Sequence, residues 1–256
     1  MIKIKAPYPK DIVKMFDKYT HNIPVIYSVI EGQYEGCIYV DNPAAPCYAL
    51  LRTPFMFCYV TGDPDTVGIE SGLDALVFRE ILPEADAKEI IIFSPSGAWD
   101  HTLKQVFEPH HGFCDGRRLF EFNPDGYAKA KEKYNKQPER VSLCVKDING
   151  SPISLKPYPS AQLWLGDVCV CKCSAIMLGA GCAELDIETL PEHQGKGYGT
   201  FAAISLIDEL LRRSYVPCWS TWPYREASLK LAQKIGFVRL PDTPAFIWTE
   251  QDCGKL

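Results

Sequence analysis

At 256 residues, with 46% apolar and 23% charged side chains, the chain has ordinary globular composition and room for one large or two modest domains. A net charge of −5 without any Lys/Arg cluster excludes a nucleic-acid-binding face. No apolar run approaches the ~18 residues that span a bilayer, and the charged start MIKIKAPYPKDIVKMF lacks a signal-peptide core. The expectation is therefore a cytosolic protein without a membrane partner.

The first part of the chain alternates strand and helix signals. CYALL and FMFCYV are apolar runs of strand formers separated by Arg52-Thr53-Pro54. GLDALVFREIL has helical spacing, with Leu73, Leu76, Val77 and Ile81 on one side. EIIIFSP is a β-branched run bounded by Pro95 and Gly97 and predicts a buried strand; AWDHTLKQVF predicts a helix and RRLFEFN a further strand. His110-His111 has no cysteine or carboxylate at ligand spacing and is expected in a surface turn before Gly112. GYAKAKEKYNKQPE reads as a polar helix running into a linker. The pattern predicts an α/β domain over residues 1–137 and a second domain over 138–256. No internal repeat is visible.

In the second part, VCVCKCSAIML and CAELDIETL read as strands. Eleven cysteines, an odd number, imply reduced thiols. Cys169, Cys171 and Cys173 alternate and so share one strand face; they lack the spacing and second ligand pair of a zinc site, and no metal is expected. GTFAAISLIDELLRRS is an amphipathic helix with Ile204, Ile207, Leu210 and Leu211 on its apolar stripe. PCWSTW is strand-like, REASLKLAQKIGF is a helix stopping at Gly236, and FVRL closes the series. The predicted order is β-β-β-α-β-α-β.

Between the CAELDIETL strand and the following helix lies Gln194-Gly195-Lys196-Gly197-Tyr198-Gly199. A helix N-terminus presents unsatisfied N–H groups and partial positive charge, and glycines let the backbone close on an anion. Such a loop makes a phosphate cradle; a tight turn explains it equally well. It lacks the GxxxxGK[ST] of a nucleotide-hydrolysing loop and the GxGxxG of a dinucleotide fold. Glu184, Asp186 and Glu188 alternate along the preceding strand, opposite Ala183, Leu185, Ile187 and Thr189. They are either a polar solvent face or an acidic row beside a ligand.

The run Gln194–Gly199 resembles the Q/R-x-x-G-x-G/A signature of the GNAT superfamily of acyl-CoA-dependent N-acyltransferases, with Pro191-Glu192 at the strand exit and LAQKIGF as the closing helix and strand. The resemblance covers residues 168–250 best, and more narrowly is to a bacterial two-domain subgroup that includes aminopolyol-antibiotic acetyltransferases. It implies an α/β (α+β) fold class: a C-terminal GNAT fold with a mixed, mostly antiparallel sheet flanked by helices, preceded by a smaller α/β N-terminal domain. It also implies transfer of an acetyl group from acetyl-CoA to a primary amine of a small molecule or peptide, by direct attack in a ternary complex. By the same resemblance, backbone N–H groups of Gln194, Gly195, Lys196, Gly197, Tyr198, Gly199 and Thr200 hold the pyrophosphate. The edge Ile187-Glu188-Thr189 pairs with the pantetheine amides, and Lys196 either neutralises a phosphate or is a solvated lysine.

An alkyl ammonium of pKa ~10 must lose a proton before it attacks. The resemblance makes Glu184 the first candidate base and Asp186 the second. Many members carry a Tyr acid where this chain has Ala232, and an Asn where it has Arg225. Tyr224, Tyr198 and Ser228 are the nearby alternatives, with Tyr224 preferred, and water is another proton source. The segment from Val141 to Asp167 leaves room for one short helix, around Ser160–Leu165, so the acceptor site is expected to be abbreviated or partly built by the N-terminal domain. Trp164, Trp219 and Trp222 are candidate walls or core. Two rival readings stand beside this one: a non-catalytic acyl-CoA-binding regulator and a nucleotide-binding module.

Overall fold

The computed structural model describes residues 1–149 and 154–250. The chain begins with β1 (Ile2–Ile4), α1 (Lys10–Lys14), a 3-10 segment (Met15–Lys18) and α2 (Ile23–Ile30). Strands β2 (Cys37–Val40), β3 (Tyr48–Arg52) and β4 (Phe57–Gly62) precede α3 (Ile69–Asp74), which continues through π-helical Ala75–Ile81 into α4 (Leu82–Glu84). Next come β5 (Glu89–Phe93), α5 (Gly97–Phe107), β6 (Phe113–Glu121) and α6 (Pro124–Tyr134). The remainder is β7 (Ser142–Ile148), β8 (Tyr158–Leu165), β9 (Val168–Gly179), β10 (Cys182–Thr189), α7 (Tyr198–Arg212), β11 (Val216–Thr221), α8 (Glu226–Lys234), β12 (Val238–Arg239) and β13 (Thr243–Thr249).

These elements form two compact units. The first comprises Met1–His21, Tyr34–Arg117 and the described part of Asp242–Leu256. Its strands run β1-β2-β3-β4-β5-β13 and then the Phe113–Arg117 half of β6. The pairing is antiparallel except where Phe57–Tyr59 of β4 lies parallel to Ile91–Phe93 of β5. Leu73, Leu76, Val77 and Ile81 are fully buried, as their helical spacing predicts, against Leu50, Val60, Ile90 and Ile92 of the sheet.

The second unit comprises Asn22–Gln33 and Arg118–Pro241. Its strands run from the Arg118–Glu121 half of β6 through β11, β10, β9 and β8 to β7. Again one pairing is parallel, Cys182–Glu184 of β10 on Val216–Cys218 of β11. Helix α7 buries Phe201, Ile204, Ile207 and Leu210 against Leu163, Val170, Ala183 and Leu185. Leu211 is 41% exposed, contrary to the apolar stripe assigned to it. Successive helical residues point ~100° apart, so Leu210 and Leu211 do not share a face.

Three expectations are revised by these elements. The short helix around Ser160–Leu165 is instead strand β8, hydrogen-bonded between β7 and β9, with Ser160, Ala161 and Leu163 buried. A central position in a sheet decides conformation where local propensity is weak. Helix α6 is not a linker approach but part of the second unit. Tyr127 donates from its hydroxyl to Ile204 O (3.0 Å) and Asp208 Oδ1 (2.9 Å), and Lys131 pairs with Asp208 at 2.7 Å. The compact units thus divide the chain differently from a single cut at 137/138.

The third concerns residues 22–33, which pack in the second unit. Gln33 Nε2 donates to Ile176 O (3.2 Å) while its Oε1 accepts from Leu178 N. Glu31 Oε1 accepts from Ala180 N at 2.9 Å. A side chain at Gly179 would meet the Tyr27 backbone at 2.6 Å, so only glycine lets α2 lie this close to β9. An N-terminal segment therefore helps to build the second unit.

Candidate functional site

Strands β10 and β11 stop pairing after Glu184 and Cys218. Beyond that point β11 pairs with β6 through Trp219–Thr221, whereas β10 stays paired with β9 through Thr189. The parallel pair therefore forks, and the Leu185–Thr189 edge of β10 on the β11 side is left to other partners. A backbone edge of this kind accepts an extended ligand as an added strand. A bulge marks the same level. Three residues of β10, from Glu184 to Asp186, oppose four of β9, from Met177 to Ser174.

Beside the fork, β10 leads through a 3-10 turn at Pro191–His193 into the glycine loop. Gly195 (φ +75°) and Gly197 (φ +82°) take the left-handed conformation that glycine adopts without strain, and a Cβ at either would meet nothing within 4 Å. Gly197 is the N-cap of α7, where no side chain caps the helix. The first intrahelical bond is Phe201 N to Gly197 O at 3.1 Å. The preceding N–H groups of α7 and the positive end of its dipole therefore face open space, the arrangement that receives an anion. Gln194 Nε2 donates to Thr189 O (3.2 Å) and ties the loop to the strand end.

A cleft of about 860 Å³ connects these features. It is lined by Ile187, Glu188 and Thr189 of the strand, by Gln194, Gly195, Gly197, Tyr198, Gly199 and Thr200 of the loop and helix start, and by Tyr224. Most of the residues singled out in the sequence thus meet in one place. Of the candidate catalytic and cofactor-binding residues, three do not line it. Lys196 turns back on its own loop, donating from Nζ to Glu192 O at 2.9 Å and lying 3.5 Å from His193 Nδ1. Glu184 lies at the fork itself, 6% exposed, where its Oε1 accepts from Ser220 Oγ of β11 at 2.5 Å. Asp186 lies one step further along β10. The acidic row is therefore not one solvent face. Asp186 and Glu188 are exposed, whereas Glu184 is buried in the middle of the sheet.

The opposite wall of the cleft is α8, which supplies Ser228, Lys230, Leu231 and Lys234, with Arg225 at its N-cap. The two lysines were missed in the sequence. Their spacing of four residues, which places both on one helix face, was the available signal. Lys234 Nζ donates to Thr200 Oγ1 at 3.1 Å, beside the start of α7, and lies over the Tyr134 ring at 4.5 Å. Lys230 pairs with Glu226 at 2.8 Å. Of the candidate acids, Tyr224 is 53% exposed, with its ring 6.0 Å from the Arg225 guanidinium. Tyr198 is 9% exposed and stacks beside His193 at 6.2 Å. Ser228 Oγ already accepts from Trp219 Nε1 at 3.1 Å. Ala232 is fully buried in the core cluster, so that position faces the core. Trp219 is also core, 5.8 Å from Phe237; none of Trp164, Trp219 and Trp222 lines the cleft.

Elsewhere, Cys171 and Cys173 pack in the core with Cys169 half-buried, and no metal-ligating cluster occurs among the described residues. His110 has a partner that its sequence neighbourhood does not reveal: its Nε2 lies 2.6 Å from Asp74 Oδ1 and its ring stacks on Phe78. Among the described residues no helix is long and apolar enough to cross a membrane.

The sequence profile of the GNAT acetyltransferase family matches residues 14–146 and 163–246. An uncharacterized N-acetyltransferase of Bacillus subtilis, YdfB, is 24% identical over 239 residues, covering 86% of this chain and 88% of its own length. Among solved structures, a GCN5-related N-acetyltransferase-like protein from Streptococcus suis superposes with a TM-score of 0.68 at 20% identity, over 93% of this chain and 97% of that one. A tandem GNAT protein from the clavulanic acid biosynthesis pathway superposes with a TM-score of 0.64 at 12% identity, over 98% of both chains.

Proposed function

The chain belongs to the GNAT acetyltransferase family, and from that premise we propose that its second unit transfers an acetyl group from acetyl-CoA to a primary amine of a small molecule or peptide, in the cytosol. One observation carries this reading: the fork between β10 and β11 opens beside an uncapped, glycine-lined helix start and holds a buried carboxylate, Glu184, at its apex.

The residues present fit an acyl-CoA. The open backbone of Gly195 and Gly197 with the N–H groups opening α7 suits a pyrophosphate, and Lys234 adds positive charge at the same end. The edge Ile187–Thr189 suits the pantetheine amides, which need backbone partners in extended geometry. That run directs the thioester towards the fork, where a β10 N–H polarises its carbonyl.

The acceptor arrives as an ammonium. Glu184 takes a proton from it, directly or through water, and the freed nitrogen lone pair attacks the thioester carbon. The tetrahedral intermediate collapses with breakage of the C–S bond, the departing thiolate takes its proton from the Tyr224 hydroxyl, and the excess proton left on the acylated nitrogen passes through water to restore the Tyr224 hydroxyl. Asp186 and Glu188 add negative charge on the approach of a cationic amine.

Calorimetry with acetyl-CoA and with ATP, followed by a thiol-release screen over a panel of primary amines, tests the proposal. Binding of acetyl-CoA but not ATP, with amine-dependent thiol release, is expected. Binding of ATP alone overturns the reading. Acetyl-CoA binding without turnover of any amine reduces it to a binding protein.

A further inference from the structure

The first unit contains, in its own chain order, the elements that build the cleft in the second. In the first, β2, β3 and β4 lead into α3, then β5, α5 and β6; in the second, β8, β9 and β10 lead into α7, then β11, α8 and β12. In each unit the parallel register joins the strand before the first of these helices to the strand after it, over three residue pairs. In each, that helix opens on a left-handed glycine, Gly68 at φ +80° and Gly197 at φ +82°.

Aligning the two registers at their last parallel pair sets Tyr59–Phe93 against Glu184–Cys218. We infer that the first unit is a second copy of the cofactor-binding fold, closed from within by Tyr19, so that the whole chain takes up a single acyl-CoA. This inference rests on the reading of the second unit as the acyl-CoA site.

The fork of the first unit is filled by its own aromatic side chains. Tyr19 follows the 3-10 segment Met15–Lys18 and is 5% exposed. Its hydroxyl donates to Val60 O at 2.5 Å, with Phe93 O at 3.4 Å. These carbonyls lie on β4 and β5 at and just beyond the last parallel pair, where a pantetheine would enter. Tyr59, in the register position of Glu184, is fully buried, stacked on Phe93 at 5.0 Å and edge-on to Tyr19 at 5.6 Å. The first unit therefore lacks both the space for a thioester and the carboxylate that would serve it.

The loop before its helix is also unsuited to a pyrophosphate. Asp63-Pro64-Asp65-Thr66-Val67-Gly68, ending at its N-cap glycine, carries two carboxylates and no cation, where the corresponding Glu192–Gly197 carries one carboxylate and Lys196. Asp63 Oδ1 accepts from Asp65 N at 3.0 Å, and Thr66 O from Ile69 N at 3.1 Å. N–H groups that would meet phosphate are engaged within the loop, and the nearby negative charge repels an anion.

Calorimetric titration of the full chain with CoA reads the stoichiometry directly. One equivalent is expected for the wild type and none for Gly197→Asp, with the circular dichroism of the two proteins the same. An Asp63→Asn/Asp65→Asn double variant is expected to stay at one equivalent, because Tyr19 still closes the fork. Two equivalents in the wild type overturns the inference while leaving the proposed function standing, whereas one equivalent retained by Gly197→Asp overturns both. No binding to the wild type overturns both.

Discussion

Ser220 Oγ donates a 2.5 Å hydrogen bond to Glu184 Oε1, across the point where β10 and β11 part. A buried carboxylate is costly unless a donor supports its charged form. Removing the hydroxyl therefore raises the carboxyl pKa and delays its ionisation as pH rises. Ser220→Ala is expected to move the acidic limb of the kcat/KM profile to higher pH, and Ser220→Thr to restore it. An unshifted limb in Ser220→Ala contradicts the assignment of Glu184 as base.

The glycine loop makes a second prediction. Gly197 has φ +82° and open space where a Cβ would sit. An aspartate there adds strain, bulk and negative charge beside the uncapped start of α7. Gly197→Asp is expected to weaken acetyl-CoA binding by about 10²-fold or more, the worth of two charge-assisted hydrogen bonds. Equal affinities by calorimetry remove the loop from the site.

Tyr224 lines the cleft with an exposed ring, whereas Ser228 is engaged by Trp219. Tyr224→Phe keeps the ring and deletes the proton donor. It is expected to lower kcat by about 10²-fold, with Tyr198→Phe and Ser228→Ala within a few-fold of wild type. Full activity in Tyr224→Phe leaves water as the proton source.

A fourth prediction concerns Cys182, whose thiol pKa is held below its ordinary value by its interaction with the Cys218 thiol, against the opposing effect of burial. Only the thiolate is nucleophilic, so reactivity is present above this pKa and lost as pH falls through it. Alkylation of Cys182, followed by peptide mass spectrometry, is expected to rise at a lower pH than that of an ordinary cysteine thiol. Cys218→Ala is expected to shift the rise to higher pH. The same midpoint in both proteins contradicts the pairing.

The sequence disclosed what local chemistry dictates. Gly195 and Gly197 announce left-handed backbone at a helix start, and the 3.6-residue spacing of Leu73, Leu76, Val77 and Ile81 marks a buried face that the structure confirms. It concealed what distant segments decide. The alternation of Glu184, Asp186 and Glu188 suggests one polar face, but β11 brings Ser220 over Glu184 and buries it. Strand β8 is fixed by its two neighbours rather than by its residues. The attachment of Gln33 to Leu178, 145 positions away, has no local signature. Nor has the repeated fold: with Asp63 and Asp65 in place of a glycine cradle and Tyr59 in the register of Glu184, only the strand registers disclose it.

The central claim is that Glu184 draws the proton from an amine attacking acetyl-CoA in the cleft of the second unit. The most direct test is kcat of wild type and Glu184→Gln with an acceptor from the amine screen, at neutral pH and near the amine's pKa of ~10. At neutral pH the variant is expected to lose about 10²–10⁴-fold in kcat, with acetyl-CoA affinity barely changed. The deficit should shrink towards the higher pH, where the amine is already neutral. A variant that turns over at the wild-type rate at neutral pH, or whose deficit is the same at both, contradicts the account.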